Sequence, residues 1–147
     1  MKMLLQRIER NGKKAPLPEY ATSGSAGLDL TAFIEEPITL THGAPTLIKT
    51  GIAVAVPEGY VGLLFARSGL GIKHGVTLSN GVGVIDSDYR GEIGVGLCSI
   101  SEKEYTVSPG DRIAQLVIVP IVCPTLEEAD SLPETDRGAG GFGSTGR

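Results

Sequence analysis

The chain is a series of short β-branched segments cut apart by glycine and proline, and this pattern constrains its fold more than any other feature. It has 21 Gly and 9 Pro in 147 residues. Between them stand pieces rich in Val, Ile and Leu, with almost no 3.6-residue period. Strands are expected over Met3 to Arg10, Leu28 to Ile34, Thr46 to Val56 with a break at Gly51, Tyr60 to Ala66, Ile93 to Ile100 and Ile113 to Val122. With the extended runs within Ser79 to Glu92 the count reaches at least eight. That many strands in a chain of one-domain length predict an all-β, single-domain barrel or sandwich with at most one short helix.

The one helical turn is expected at Arg67-Ser-Gly-Leu-Gly-Ile-Lys-His74, directly after a strand, with Ser68 or the residue before it as cap. A helix start leaves several N–H groups for an anion, and Arg67 adds a fixed charge with paired donors suited to phosphate. The same residues also read as a strand end with a solvated arginine. His42 and His74 have no partner nearby in the sequence and read as loop residues.

Charge narrows the range of ligands. The formal net charge is −4. Such a surface repels a phosphate backbone and argues against broad nucleic-acid binding, while a locally basic pocket can still hold a small phosphorylated ligand. No apolar run approaches the ~20 residues a membrane helix needs. Charges in Met-Lys-Met-Leu-Leu-Gln-Arg come too early for a signal peptide, so no membrane association is expected and the cytoplasm is the expected location. Cys98 and Cys123 sit among apolar neighbours and are expected as buried free thiols in a reducing compartment. No CxxC or HxxxH spacing supports zinc.

Reactive side chains are densest from Ser79 to Glu92, which reads Ser-Asn-Gly-Val-Gly-Val-Ile-Asp-Ser-Asp-Tyr-Arg-Gly-Glu. Val82, Val84 and Ile85 favour extended backbone, and Asp86-Ser-Asp-Tyr89 has turn chemistry. The expectation is a β-hairpin with Asn80, Asp86 and Tyr89 near its bend, offering a base, a flat ring and free peptide groups to one small ligand. A plain surface hairpin with a polar turn fits the same letters. Asp29, between Leu28 and Leu30, faces either solvent or a pocket. Gln115 stands in an apolar strand and, if buried, needs a hydrogen-bond partner, which a ligand or water can supply; an exposed edge strand also suits it.

From residue 124 the chain turns acidic and proline-containing, then ends in Arg137-Gly-Ala-Gly-Gly-Phe-Gly-Ser-Thr-Gly-Arg147. The organisation expected is a core over residues 1–123 and a C-terminal arm over residues 124–147. Alone, such a tail should be disordered. Its composition also suits a phosphate cradle of backbone N–H groups, two hydroxyls and a guanidinium. With no Walker lysine and no preceding strand, it is not a P-loop.

Five stretches, in order and spanning nearly the whole chain, are Ala26-Gly-Leu-Asp-Leu30, Ala66-Arg-Ser-Gly-Leu70, Asn80 through Asp86-Ser-Asp-Tyr-Arg-Gly91, Pro109-Gly-Asp-Arg-Ile-Ala-Gln115 and Arg137 through Gly146. Together they closely resemble the five motifs of the trimeric dUTPases (deoxyuridine 5′-triphosphate nucleotidohydrolases). The resemblance implies a distorted β-barrel, jelly-roll-like subunit. It implies a homotrimer whose active sites lie at subunit interfaces, each built from all three chains with the arm crossing to a neighbour. It implies hydrolysis of dUTP to dUMP and pyrophosphate, which keeps uracil out of DNA and supplies dUMP for thymidylate synthesis.

Carried over position by position, the resemblance makes Asp86 the base for a water attacking the α-phosphorus. Gln115 lies near that phosphate and the water. Asp29 positions site groups and metal-bound water. Arg67, Ser68 and Gly69 bind phosphate. Asn80 reads the uracil edge beside main-chain groups of Val84 and Ile85, and Gly94 offers main-chain contact to the nucleoside. The Tyr89 ring packs under the deoxyribose and excludes a 2′-hydroxyl, a role for which its hydroxyl is not needed. In the tail, Arg137, Ser144 and Thr145 contact the γ-phosphate, Phe142 stacks on uracil, and Gly143 lies between them. Mg2+ is the implied cofactor, held by the triphosphate and water with no direct protein ligand. The rival readings are a dCTP deaminase-type relative and a non-enzymatic nucleotide-binding module on the same scaffold.

Overall fold

The computed structural model describes residues 2–141. In chain order the strands are β1 (Leu4–Arg7), β2 (Glu9–Arg10), β3 (Lys13–Lys14), β4 (Glu19–Tyr20), β5 (Leu28–Thr31), β6 (Ile38–Leu40), β7 (Thr46–Lys49), β8 (Ile52–Ala55) and β9 (Tyr60–Phe65). Helix α1 (Ser68–His74) follows, then β10 (Val76–Leu78), β11 (Gly83–Ile85), β12 (Gly94–Ser99), β13 (Tyr105–Val107) and β14 (Arg112–Pro120). Every pairing between these strands is antiparallel. The largest sheet runs β11-β9-β14-β5-β4, and a second runs β10-β12-β7. Three two-stranded ribbons, β1-β8, β13-β6 and β2-β3, complete the jelly-roll-like arrangement.

Side-chain alternation sets which face of each strand is dry. In β12, Val95, Leu97 and Ser99 are buried while Gly94, Gly96 and Cys98 are not, the period of two that a half-covered strand requires. Leu30 and Leu116 of the larger sheet join Ile48, Ile52, Ile93 and Leu97 in one continuous core. Each of these is almost fully buried, and a buried aliphatic side chain contributes about 1.5–3 kcal/mol relative to an exposed one.

The break expected at Gly51 is real and separates β7 from β8. Gly51 has φ +68°, and a Cβ there would run into the Phe33 ring and Ala15. A positive φ and a crowded approach together demand glycine. Its carbonyl accepts the Ile8 N–H at 2.7 Å, and its own N–H donates to Glu92 Oε1 at 2.7 Å.

Several local expectations change. The stretch from Ser79 to Glu92 is not a hairpin of two mutually paired strands: β10 pairs with β12, whereas β11 pairs with β9 in the other sheet. The turn at Asn80 therefore carries the chain from one sheet to the other, a long-range outcome that local turn chemistry does not encode. The first strand ends at Arg7 and the chain resumes as β2, and the segment from Asn11 to Tyr20, with Pro16 and Pro18, contains the short strands β3 and β4. The single helical turn is a seven-residue helix, capped by Arg67 in extended conformation with no side-chain cap, and closed by Gly75 at φ +66°. Cys123 is exposed and Cys98 only half-buried, because Cys98 falls on the outward phase of β12 and Cys123 lies beyond the last strand. His74 ends α1, with its ring 4.9 Å from that of Tyr105. No helix among the described residues is long and apolar enough to cross a membrane.

Candidate active site

Register across the large sheet brings the first site residues together. Gln115 of β14 is the partner of Asp29 on β5 and of Phe65 on β9, so three neighbouring strands align these positions in one row. Directly opposed residues share a face, so Asp29 and Gln115 look the same way. The chain then leaves β9 through Ala66 into Arg67. Gln115 Nε2 donates to the Ala66 carbonyl at 3.0 Å, which supplies the partner its apolar setting demands and ties it to the start of the Arg67 segment.

Asp29 is mostly buried and accepts from two guanidinium groups. Arg67 Nε donates to Oδ1 at 2.9 Å and its Nη2 to Oδ2 at 3.4 Å, while Arg112 Nη1 donates to Oδ2 at 3.0 Å. A paired, fork-shaped contact fixes the plane of the Arg67 head as well as its place. Two guanidinium groups thus share one carboxylate. Asp29, Arg67 and Gln115 line a cleft of about 440 Å³ with Ala21, Ser25, Ala26, Gly27, Ser68 and Gly69. Ser68 and Gly69 open α1, where the first N–H groups of a helix have no intrahelical acceptor. Arg112 lies in the Pro109–Gln115 motif, but sequence reasoning gave it no role; its pairing to Asp29 depends on a register that the sequence does not state.

The remaining expected residues stand elsewhere on the same chain. Asn80 is exposed in the turn between β10 and β11, and Val84 is exposed while Ile85 is buried within β11. Asp86 follows directly and is exposed. The Tyr89 N–H donates to the Asp86 carbonyl at 3.2 Å, closing the expected turn, and Arg90 Nη1 braces it through the carbonyls of Ser87 and Tyr89 at 2.7 and 2.8 Å. Tyr89 lines a separate cleft of about 260 Å³ with Leu47, Lys49, Glu92 and Gly94. Its hydroxyl donates to the Glu92 carbonyl at 3.0 Å. Gly91 permits this fold-back, since a Cβ there would sit on the phenol.

Glu92 is a site neighbour that sequence reasoning missed. Its carboxylate is hydrogen-bonded by Arg10 and by the Gly51 N–H. Burial pushes this carboxyl up, but the Arg10 and Gly51 hydrogen bonds and the charges of Arg10 and Lys49 outweigh it, and the group is held below its ordinary value. Arg10 also donates to the Phe33 carbonyl at 3.3 Å and lies 5.2 Å over the Phe33 ring. In the arm, Arg137 Nε donates to the Gly140 carbonyl at 2.9 Å within a turn, and residues 121–139 are all exposed. Phe142, Gly143, Ser144 and Thr145 lie outside the described residues.

Fold and cleft define a class: a jelly-roll-like β protein with a carboxylate-braced arginine in an open cleft at the start of a helix. Comparison with known proteins narrows it. The sequence profile of the dUTPase family matches residues 13–146. The deoxyuridine 5′-triphosphate nucleotidohydrolase of Idiomarina loihiensis is 51% identical over 140 residues, covering 95% of this chain and 93% of that one. That of Hahella chejuensis is 52% identical over 139 residues, covering 94% and 91%. The Staphylococcus bacteriophage 80alpha dUTPase, solved with dUPNHPP, superposes with a TM-score of 0.86 at 30% identity over 99% of each chain. A mutant dUTPase from phage phi11 of S. aureus, described as revealing the coordination of a structural Mg(II) ion, superposes with a TM-score of 0.77 at 29% identity, covering 89% and 98%. The chain belongs to the dUTPase family.

Proposed function

We propose that this protein hydrolyses dUTP to dUMP and pyrophosphate. The observation that carries the reading is the convergence of Asp29, Arg67 and Gln115 on one cleft in a chain of this family. Arg67, with Ser68 and Gly69, takes the triphosphate, and Asp29 holds the guanidinium flat and ready for it. Gln115 orients the α-phosphate and the incoming water. Asp86 accepts the water's proton as its oxygen bonds to the α-phosphorus. The bond from that phosphorus to the bridging oxygen breaks, and pyrophosphate leaves. Asn80, with main-chain groups of Val84, Ile85 and Gly94, receives the nucleoside, and the Tyr89 ring walls off the sugar's 2′ position. Arg137, Phe142, Gly143, Ser144 and Thr145 close over base and γ-phosphate.

The assembly belongs to the same proposal. In a single chain Asp86 is exposed, and Tyr89 lines a cleft different from the one that holds Arg67. A homotrimer that sets the Tyr89 face of one subunit against the Arg67 cleft of the next, with the arm of the third laid across, would complete each site. Val122, Leu126 and Leu132 are 89%, 92% and 84% exposed in one chain, which suits an arm that is covered by a neighbour.

Mg2+ fits as a cation carried by the substrate. Both Asp29 oxygens already accept from guanidinium groups, and no cluster of three His, Cys, Asp or Glu side chains occurs among the described residues. Triphosphate oxygens are the hard ligands such an ion prefers, and on them it would offset charge at the phosphates. Pyrophosphate release from dUTP, dCTP and UTP tests the whole reading. Release from dUTP alone is expected; ammonia from dCTP would indicate the deaminase relative, and binding without turnover a non-enzymatic module.

A further inference from the structure

Three observations meet beneath Tyr89. Its phenol is tied to the main-chain carbonyl of Glu92, not to a side chain. That stretch of backbone is itself clamped: the Glu92 carboxylate takes the Gly51 N–H and the Arg10 guanidinium, and the next residue bonds the same turn, with Thr50 Oγ1 donating to the Ile93 carbonyl at 2.7 Å and the Ile93 N–H to the Ile52 carbonyl at 2.7 Å. Glu92 also lines the cleft that Tyr89 walls. Tyr89 is 42% exposed in the single chain, and its hydroxyl is held by that one hydrogen bond.

We propose that Glu92, braced by Arg10, is a positioning residue for sugar selection: it fixes the carbonyl that receives the Tyr89 hydroxyl and so sets where the ring stands in the cleft. The inference rests on the dUTP reading above. It gives the Tyr89 hydroxyl a task that the sequence-based expectation did not, since a wall must be held at the right distance as well as present. An acid is needed at 92 because it alone offers one oxygen to a peptide N–H and another to a guanidinium at once. Glutamine keeps a single acceptor and faces its partners with an amide N–H. Gly91 belongs to the same device, because a Cβ there would meet the Tyr89 phenol.

The test compares wild type with Glu92→Ala, Glu92→Gln and Gly91→Ala. Each is assayed for kcat/KM on dUTP and UTP, and each is labelled with 3-fluorotyrosine, the Tyr89 resonance being assigned by its loss in Tyr89→Phe. Glu92→Ala and Gly91→Ala are expected to lower the dUTP/UTP ratio ~5- to 10-fold, the scale on which loosening one contact in a close-fitting site relaxes discrimination, with Glu92→Gln in between. The Tyr89 fluorine signal should move in the same order. A ratio within about two-fold of wild type in active Glu92→Ala, or an unmoved resonance, overturns the proposal, because a purely structural acid would change stability alone. If Glu92→Ala does not fold, Glu92→Gln carries the same two readouts. If wild type turns over neither nucleotide, the hydrolase reading falls, and the positioning role is then decided by the fluorine signal alone.

Discussion

Asp86 and Glu92 sit six residues apart and have opposite surroundings. Asp86 is exposed on the free chain, which suits the base proposed for that position. Asp86→Asn is expected to fold and bind a dUTP analogue but to lose ~10²–10⁴-fold in kcat, since the amide cannot take a proton. Single-turnover kinetics beside a binding isotherm checks this, and a loss of only a few-fold removes Asp86 from the role. Glu92 is satisfied internally and held below its ordinary pKa by Arg10 and Gly51. A carboxylate depressed in the folded state stabilises the protein above its unfolded pKa, and that contribution fades as pH falls through the folded value. The stability difference between wild type and Glu92→Gln should therefore be level near neutral pH and shrink below the ordinary glutamate pKa of 4.5. Urea unfolding as a function of pH measures it; a difference that grows on acidification would mean the pair is not ionised as described.

At the scale of the element, β14 and the turn at Gly51 matter most. β14 is the central strand of the large sheet, flanked by β9 and β5, and it carries Gln115 outward between buried Ala114 and Leu116. Alternation and site are thus one constraint: a slip of one residue would bury Gln115 and expose Leu116. Leu116→Ala is expected to cost about 2–5 kcal/mol, because Leu116 is 1% exposed and the cavity it leaves cannot close without moving two neighbouring strands. Gly51→Ala is expected to cost about 1–3 kcal/mol from its positive φ alone, with more from the crowding against Phe33 and Ala15. Thermal and chemical unfolding of both variants give these figures. A neutral Gly51→Ala would mean that the turn can relax and that the clamp on Glu92 is weaker than its geometry indicates.

For the whole molecule, the division of labour between core and arm is testable without mutating the site. Residues 121–139 are exposed and contain no strand, so removing the chain from Arg137 onward deletes none of the described core. The truncated protein is expected to melt within a few degrees of wild type, as surface changes usually do, yet to hydrolyse dUTP hardly at all. A truncation that keeps full activity would show that the arm does not close the site. Sedimentation equilibrium is expected to give three times the mass of one chain, and a monomer that retained full activity would overturn the shared-site proposal.

Local chemistry in the sequence determined the strands, the break at Gly51, the helix after β9 and the five motif stretches, because alternation, positive φ and turn residues act over a few positions. The same chemistry made Asp29 and Gln115 candidates but left open where each one faces. Only tertiary structure decided that they share a row with Phe65, that Asp29 carries Arg67 and Arg112 together, and that Glu92 reaches back to Arg10 across the fold. It also replaced the expected hairpin within Ser79 to Glu92 with strands that pair into two different sheets. Register between distant strands follows from how the whole core packs, and the charge around a side chain depends on which strands come to lie beside it, so neither can be read from neighbours in the chain.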